Sequence, residues 1–211
     1  MFSLVSCGNT WNIKSDLPYN YATYYVRLDE ENNIVKAEAS FNMNNQSHNF
    51  EKNILFNGIE MRQLPGQSTQ KKYTINANKN HKFIFEIPLK SEAKTVEAEM
   101  LKLDSFKIKN NIFSLSSGAS IFWLEKPLRA LETLVLNIEE EGTGKVNTIT
   151  IVGPTKTTGV SLGKEQFNGY TPGKATVYPL RKFVTEKTEN QIKTLIGTEH
   201  YALPIHVNII K

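Results

Sequence analysis

The chain has 211 residues, with 25 Lys and Arg against 21 Asp and Glu for a net charge of +4, and a mean hydropathy of −0.37. At about 150 residues per domain, this length allows one large domain or two small ones. A composition of 39% hydrophobic and 22% charged residues argues against wholesale disorder, and no apolar run reaches the ~18–20 residues of a membrane-spanning helix. The single cysteine excludes an internal disulfide and a multi-cysteine metal site. Each half of the chain, divided at Asn110, carries a net +2, and the only arginines are Arg27, Arg62, Arg129 and Arg181. Base readout and bidentate phosphate gripping favour the arginine fork, so this lysine-studded surface argues against a nucleic-acid partner.

The chain opens Met1-Phe2-Ser3-Leu4-Val5-Ser6-Cys7-Gly8-Asn9. The segment Leu4-Val5-Ser6-Cys7 resembles the lipobox of bacterial lipoproteins, in which a short apolar stretch and a small residue precede the cysteine. The resemblance implies cleavage before Cys7 and lipidation of its thiol and new amino terminus. Small side chains give a peptidase access to the backbone, and the thiolate accepts the diacylglyceryl group. Several acyl chains then hold the protein on a membrane, since each buried CH₂ adds ~0.8 kcal/mol and one chain alone anchors only marginally. A signal peptide needs a charged segment and ~7–15 apolar residues, so most of it is expected upstream of Met1. Gly8 stands where an aspartate would retain a lipoprotein in the inner membrane. The family rule therefore implies anchoring to the outer membrane of a bacterial cell envelope.

Residues 8–18 are polar and aperiodic and read as a tether between anchor and fold, with Trp11 within it. Beyond Tyr19 the chain reads as strands. Val35, Ala37, Ala39 and Phe41 alternate with polar neighbours, as do Phe83, Phe85, Ile87 and Leu89. Leu134, Leu136 and Ile138 share a face, and Ile149 and Ile151 sit between threonines. Turn chemistry separates the runs at Asn32-Asn33, Asn57-Gly58, Pro65-Gly66, Gly142-Thr143-Gly144, Gly153-Pro154, Asn168-Gly169 and Pro172-Gly173. The best helical candidate is Thr185 to Ile196, with Gly197 as its C-cap; Lys90–Leu103 is a weaker one, because Val96, Ala98 and Met100 alternate like a strand. At the C-terminus, Tyr201, Leu203, Ile205, Val207 and Ile209 form the predicted apolar face of one strand, with His206 turned outward and Pro204 either placing it at an edge or turning its nitrogen away from its neighbour.

Short strands with such turns predict an all-β chain of antiparallel β-sandwich type. Residues 1–18 are expected to be lipobox and tether, 19–109 one sandwich and 110–211 a second. The lipobox, the Asn57-Gly58 turn, the Trp123 strand and the terminal Gly197…Tyr201…Val207 strand together loosely resemble Bacteroidota-type envelope lipoproteins with tandem immunoglobulin-like domains. That resemblance brings no catalytic residues with it.

Chemical motifs are sparse. Gly142-Thr143-Gly144-Lys145 looks like part of a phosphate loop, but the positions that pattern fixes hold Glu139 and Val146, so it reads as a hairpin turn. His48, His81, His200 and His206 show neither HxH nor HExxH spacing and are read as surface histidines, with no metal site. Ser116-Ser117-Gly118 lacks the upstream glycine of a nucleophile elbow. The carboxylates of Asp29-Glu30-Glu31 and Glu139-Glu140-Glu141 fall at predicted turns, where charge is solvated. No catalytic residue and no cofactor is assigned. Alternation places Tyr24 in the core and Tyr25 on the outer face, and exposed aromatics mark binding sites; Tyr25 and Trp11 are the candidate ligand-binding aromatics. The expected function is that of a non-enzymatic, lipid-anchored binding or scaffolding module for a protein or glycan ligand. The alternative is a carbohydrate-binding module for glycan capture, and an envelope hydrolase ranks third because no motif supports it.

Overall fold

The computed structural model describes residues 20–43, 46–47, 53–63, 68–74, 82–88, 93–123, 126–189 and 192–211. Cys7, Trp11, His48, His81 and the Pro65-Gly66 turn lie outside them. The first half contributes β1 (Tyr21–Asp29), β2 (Ile34–Met43), β3 (Gln46–Ser47), β4 (Leu55–Phe56), β5 (Ile59–Glu60), β6 (Arg62–Gln63), β7 (Ser68–Thr74), β8 (Lys82–Ile87) and β9 (Lys94–Glu99). The second contributes β10 (Lys107–Ile108), β11 (Ile112–Ser114), β12 (Ala119–Phe122), β13 (Glu132–Glu140), β14 (Val146–Val152), β15 (Gly159–Leu162), β16 (Gly173–Glu189), β17 (Ile192–Tyr201) and β18 (Ile205–Ile210). Two short 3₁₀ turns, at Lys109–Asn111 and Lys164–Phe167, are the only helical elements among the described residues. The chain is all-β, as its alternation implies.

One large sheet runs through both halves. Its backbone is the order β11-β18-β16-β17-β1-β2-β7-β6, with β13 on the other side of β16 and β14 beyond it. Two smaller sheets cover its inner face: β5-β4-β8-β9 over the first half and β10-β12-β15 over the second. Each pairing of sheets encloses its own core. Tyr24, Val26, Leu28, Val35, Ala37, Ala39 and Phe41 of the large sheet meet Phe56, Phe83, Phe85, Val96 and Ala98 in one. Leu134, Leu136, Ile138, Val177, Val207 and Ile209 meet Ile108, Ile121 and Leu162 in the other, with Trp123 and Phe167 between them. Tyr24 lies against Phe41 and Phe85 at centroid distances of 5.6 and 5.1 Å, within the range of favourable ring pairs.

Local chemistry explains the tight connections. Asn57 and Gly58 take φ of 49° and 74° between β4 and β5, the two left-handed positions a type I′ hairpin turn requires and Asn-Gly tolerates best. Gly142 and Gly144, at φ of 88° and 66°, supply the left-handed positions of a longer loop that closes the β13–β14 hairpin between Glu140 and Lys145. The phosphate-loop look-alike is thus a turn.

Two expectations are corrected. Thr185 to Ile196 is not a helix: it forms the far half of β16 and the start of β17, paired from Leu180↔Tyr201 to Glu189↔Ile192. The β-branched residues Val184, Thr185, Thr188 and Thr194 disfavour the helix, and β1, paired in parallel with β17, fixes the extended form. Gly197 is a strand residue, not a cap. The C-terminal strand is also broken. β17 and β18 run one after the other along the same side of β16, but the register changes from Leu180↔Tyr201 to Val177↔Ile205, one residue more on the outer strand. That extra residue, at Ala202–Pro204, is a bulge, where a missing proline N–H costs no ladder bond. Because side chains alternate with period two, the bulge reverses the faces beyond it. Tyr201 faces out and His200 in, whereas Val207 and Ile209 face in and His206 out, and Leu203 is left 58% exposed.

Ile209→Ala should therefore cost about 2–5 kcal/mol through lost burial and a cavity. His206→Ala should change stability by no more than about 0.5 kcal/mol, as surface substitutions do. Urea denaturation of the two variants measures both, and equal losses would contradict the inward placement of Ile209 and the outward placement of His206.

Candidate functional site

Tyr25 lies on the outer face of the large sheet, but it is not a free aromatic platform. It is half-buried, and its ring rests on Gly197 of β17, where a Cβ would come within 3.4 Å of the ring. Its hydroxyl donates to Glu199 Oε2 at 2.5 Å. The same oxygen accepts from Tyr201 Oη at 3.0 Å, and Lys182 Nζ stands 2.9 Å from Oε1. The Arg27 guanidinium stacks 3.8 Å over the Tyr201 ring, a cation–π geometry. Parallel pairing of β1 with β17 sets Arg27 beside Glu199 and Asp29 beside Tyr201, and antiparallel pairing sets Lys182 on the far side of Glu199. Burial and the Glu199 charge push the Tyr25 phenol far above its usual value, and the same causes push Tyr201 up to about 12. Both phenols stay protonated near neutral pH and serve as donors. The exposed-ring expectation for Tyr25 is corrected: cross-strand neighbours close over it.

The inner face carries a second polar group. Between β9 and β10 the chain crosses the large sheet, separating the two cores. Thr198 Oγ1 donates to Glu99 O at 3.1 Å, and Arg181 Nη1 donates to Lys102 O at 3.0 Å. Leu103 N donates to His200 Nδ1 at 2.7 Å. An accepting Nδ1 places the ring proton of neutral His200 on Nε2, which lies 3.1 Å from Glu30 Oε1 though off the line of a good hydrogen bond. Arg181 Nη2 donates to the fully buried Glu132 at 2.8 Å, and Arg129 Nε also donates to Glu132. The His200 ring nitrogen beside it holds Glu30 below the usual carboxylate range, against the effect of burial. Burial alone would raise Glu132, but hydrogen bonds from Arg181 and Arg129 outweigh it and hold its carboxyl low.

His200 is thus a buried histidine rather than a surface one, and the acidic triplets are not simply solvated. Glu140 is buried, accepting from Thr171 N at 2.9 Å, from Thr171 Oγ1 and from Thr143 Oγ1 at 2.9 Å; the Thr171 hydroxyl first of all lowers its pKa. Its neighbour Glu139 accepts from Tyr178 Oη at 3.2 Å. One sequence signal could have revealed these groups. Glu132 and Glu140 bracket Leu134, Leu136 and Ile138 at the same parity, and Arg181 continues the parity of Ala175 and Val177. A charge at core parity is a buried charge needing a partner.

These groups bind each other and the backbone, which is the arrangement of structural fasteners. Among the described residues no three His, Cys, Asp or Glu side chains stand together in a way that could hold a metal ion. Among the described residues, the large aromatic that does face solvent is Phe122, 41% exposed on the outer face of β12. It covers Gly159 of β15, where a Cβ would come within 2.7 Å of the ring and only glycine fits. No protein-family model and no curated protein matches the chain.

The folded pKa of Glu132 lies below its unfolded value of about 4.3, so its contribution is complete above that value and lost as pH falls through the folded pKa. Glu132→Gln should cost about 3–5 kcal/mol at pH 7, because it leaves Arg181 charged and buried. It should also make the acid side of the stability–pH curve shallower. Urea titrations between pH 3 and 7 test both; a variant losing stability with the wild-type slope would contradict the pairing.

Proposed function

We propose that this is a non-enzymatic, lipid-anchored protein of the bacterial cell envelope that acts as a binding or scaffolding module. The observation that carries the reading is Leu4-Val5-Ser6-Cys7 followed by an aperiodic tether of residues 8–18. The fold supports it: a sheet spanning two cores offers a long, stiff surface to a partner. The buried and half-buried ionisable groups on both faces of that sheet hold strands together. With the native gene and its upstream frame in a bacterial host, an alkyne-labelled fatty acid should be incorporated and the protein should sediment with membranes. Cys7→Ser should abolish the label and release the protein. A wild-type chain that takes up no label, or a variant that still does, would sink the anchor.

The second reading, a carbohydrate-binding module, is favoured by Phe122. An exposed ring over a glycine, on the outer face of a sandwich, is a surface on which a sugar ring can stack. On a glycan array, Phe122→Ala should remove any binding, whereas Tyr25→Ala should not reduce it, since its hydroxyl is already engaged by Glu199. Binding that survives Phe122→Ala would dismiss this platform.

A further inference from the structure

β14 ends the large sheet. Among the described residues its one strand partner is β13, so no described strand pairs with its other edge. The chain of hydrogen bonds from Glu140 N to Lys145 O and from Gly153 N to Glu132 O fixes which residues point where. Asn147, Ile149 and Ile151 direct their backbone groups at β13, whereas Val146, Thr148, Thr150 and Val152 direct theirs outward. Natural sheets blunt such an edge with lysine, proline, a bulge or a covering loop. β14 reads Val-Asn-Thr-Ile-Thr-Ile-Val, with no charge and no proline. Val146 and Val152, at its two ends, are 59% and 66% exposed.

The strand is also nearly the same read in either direction. Reversal about Ile149 exchanges Val146 with Val152 and Thr148 with Thr150; only Asn147 and Ile151 differ. We infer that β14 is the interface of a two-fold symmetric dimer, in which it pairs antiparallel with β14 of a second copy about Ile149. A two-fold interface places the same patch on both chains, so it requires a self-complementary surface. This register supplies one. Each Val146 meets Val152 of the other copy, each Thr148 meets Thr150, and no like charges face each other. The outward residues are the ones that fall in hydrogen-bonded pairs, each exchanging two backbone bonds. Formation displaces one local contact, the bond from Thr148 N to Asn147 Oδ1 at 2.9 Å, and replaces it with the carbonyl of Thr150 across the interface. The two large sheets then join into one. A second copy fits better than a charged peptide, because the edge offers no charge to read one.

The inference is independent of the lipid anchor, and the test uses the unlipidated 211-residue chain in solution. Light scattering after size exclusion should give twice the 23.9 kDa chain mass. Thr150→Pro removes an outward N–H without touching the β13 ladder and should give a monomer. The double variant Val146→Lys, Val152→Lys sets lysine against lysine twice and should also be monomeric. The double variant Val146→Lys, Val152→Glu sets lysine against glutamate twice in this register and should remain a dimer. Circular dichroism and urea midpoints like those of the wild type establish that each variant is folded. A monomeric wild type overturns the proposal, whether the edge is free or covered by another segment of the chain. So does a dimer indifferent to Thr150→Pro, or lysine–lysine and lysine–glutamate variants that behave alike.

Discussion

A peptide segment that crosses the inside of a sheet must find partners for its own polar groups, or the crossing costs more than the burial returns. Between β9 and β10 this chain makes such a crossing, and the solution is a set of side chains that point inward from β16 and β17. Thr198 serves Glu99 O, Arg181 serves Lys102 O and His200 serves Leu103 N. Arg181 and His200 then need their own counterparts, which brings Glu132 and Glu30 inward. The two cores exist as separate bodies of apolar packing because this polar belt lies between them. Phe83 and Phe85 stay on one side, and Leu134 and Ile138 on the other.

The belt explains which parts of the fold were legible in the sequence. Strand character follows from local alternation, and β1, β2, β8 and β13 display it plainly. So does Asn57-Gly58, whose conformation is a property of two residues. The β16–β17 hairpin was not legible, because apolar spacing around Ile192, Leu195 and Ile196 suits either period. The choice is made by β1, far away in sequence. The inward turn of His200 was hidden by the bulge at Pro204, which lets residues of one parity face opposite ways on either side of it. Alternation carried through Pro204 put Tyr201 and Val207 together; the sheet keeps them apart.

The candidate site was less legible still. Tyr25 was correctly placed on the outer face, but exposure depends on what stands beside a residue, and Gly197, Glu199 and Tyr201 come from the opposite end of the chain. Phe122 is hidden in the sequence because a phenylalanine between Ile121 and Trp123 reads as core. Its solvent exposure follows from the pleat, which turns Ile121 and Trp123 in and Phe122 out. In both cases the residue type was visible and the neighbour was not.

The pairing of β1 with β17 also governs how the molecule is made. Tyr25 and Glu199 meet across 174 positions of sequence, so during synthesis the first core is assembled against a sheet that lacks one of its central strands. Until β17 has emerged, β1 lacks that neighbour, with β2 as its one other partner among the described residues. Such long-range pairing slows folding, since the loop must close before the contacts repay it. It also leaves a strand open to wrong neighbours. Emergence of β17, rather than completion of the N-terminal half, is then the event that lets the first half reach its final form.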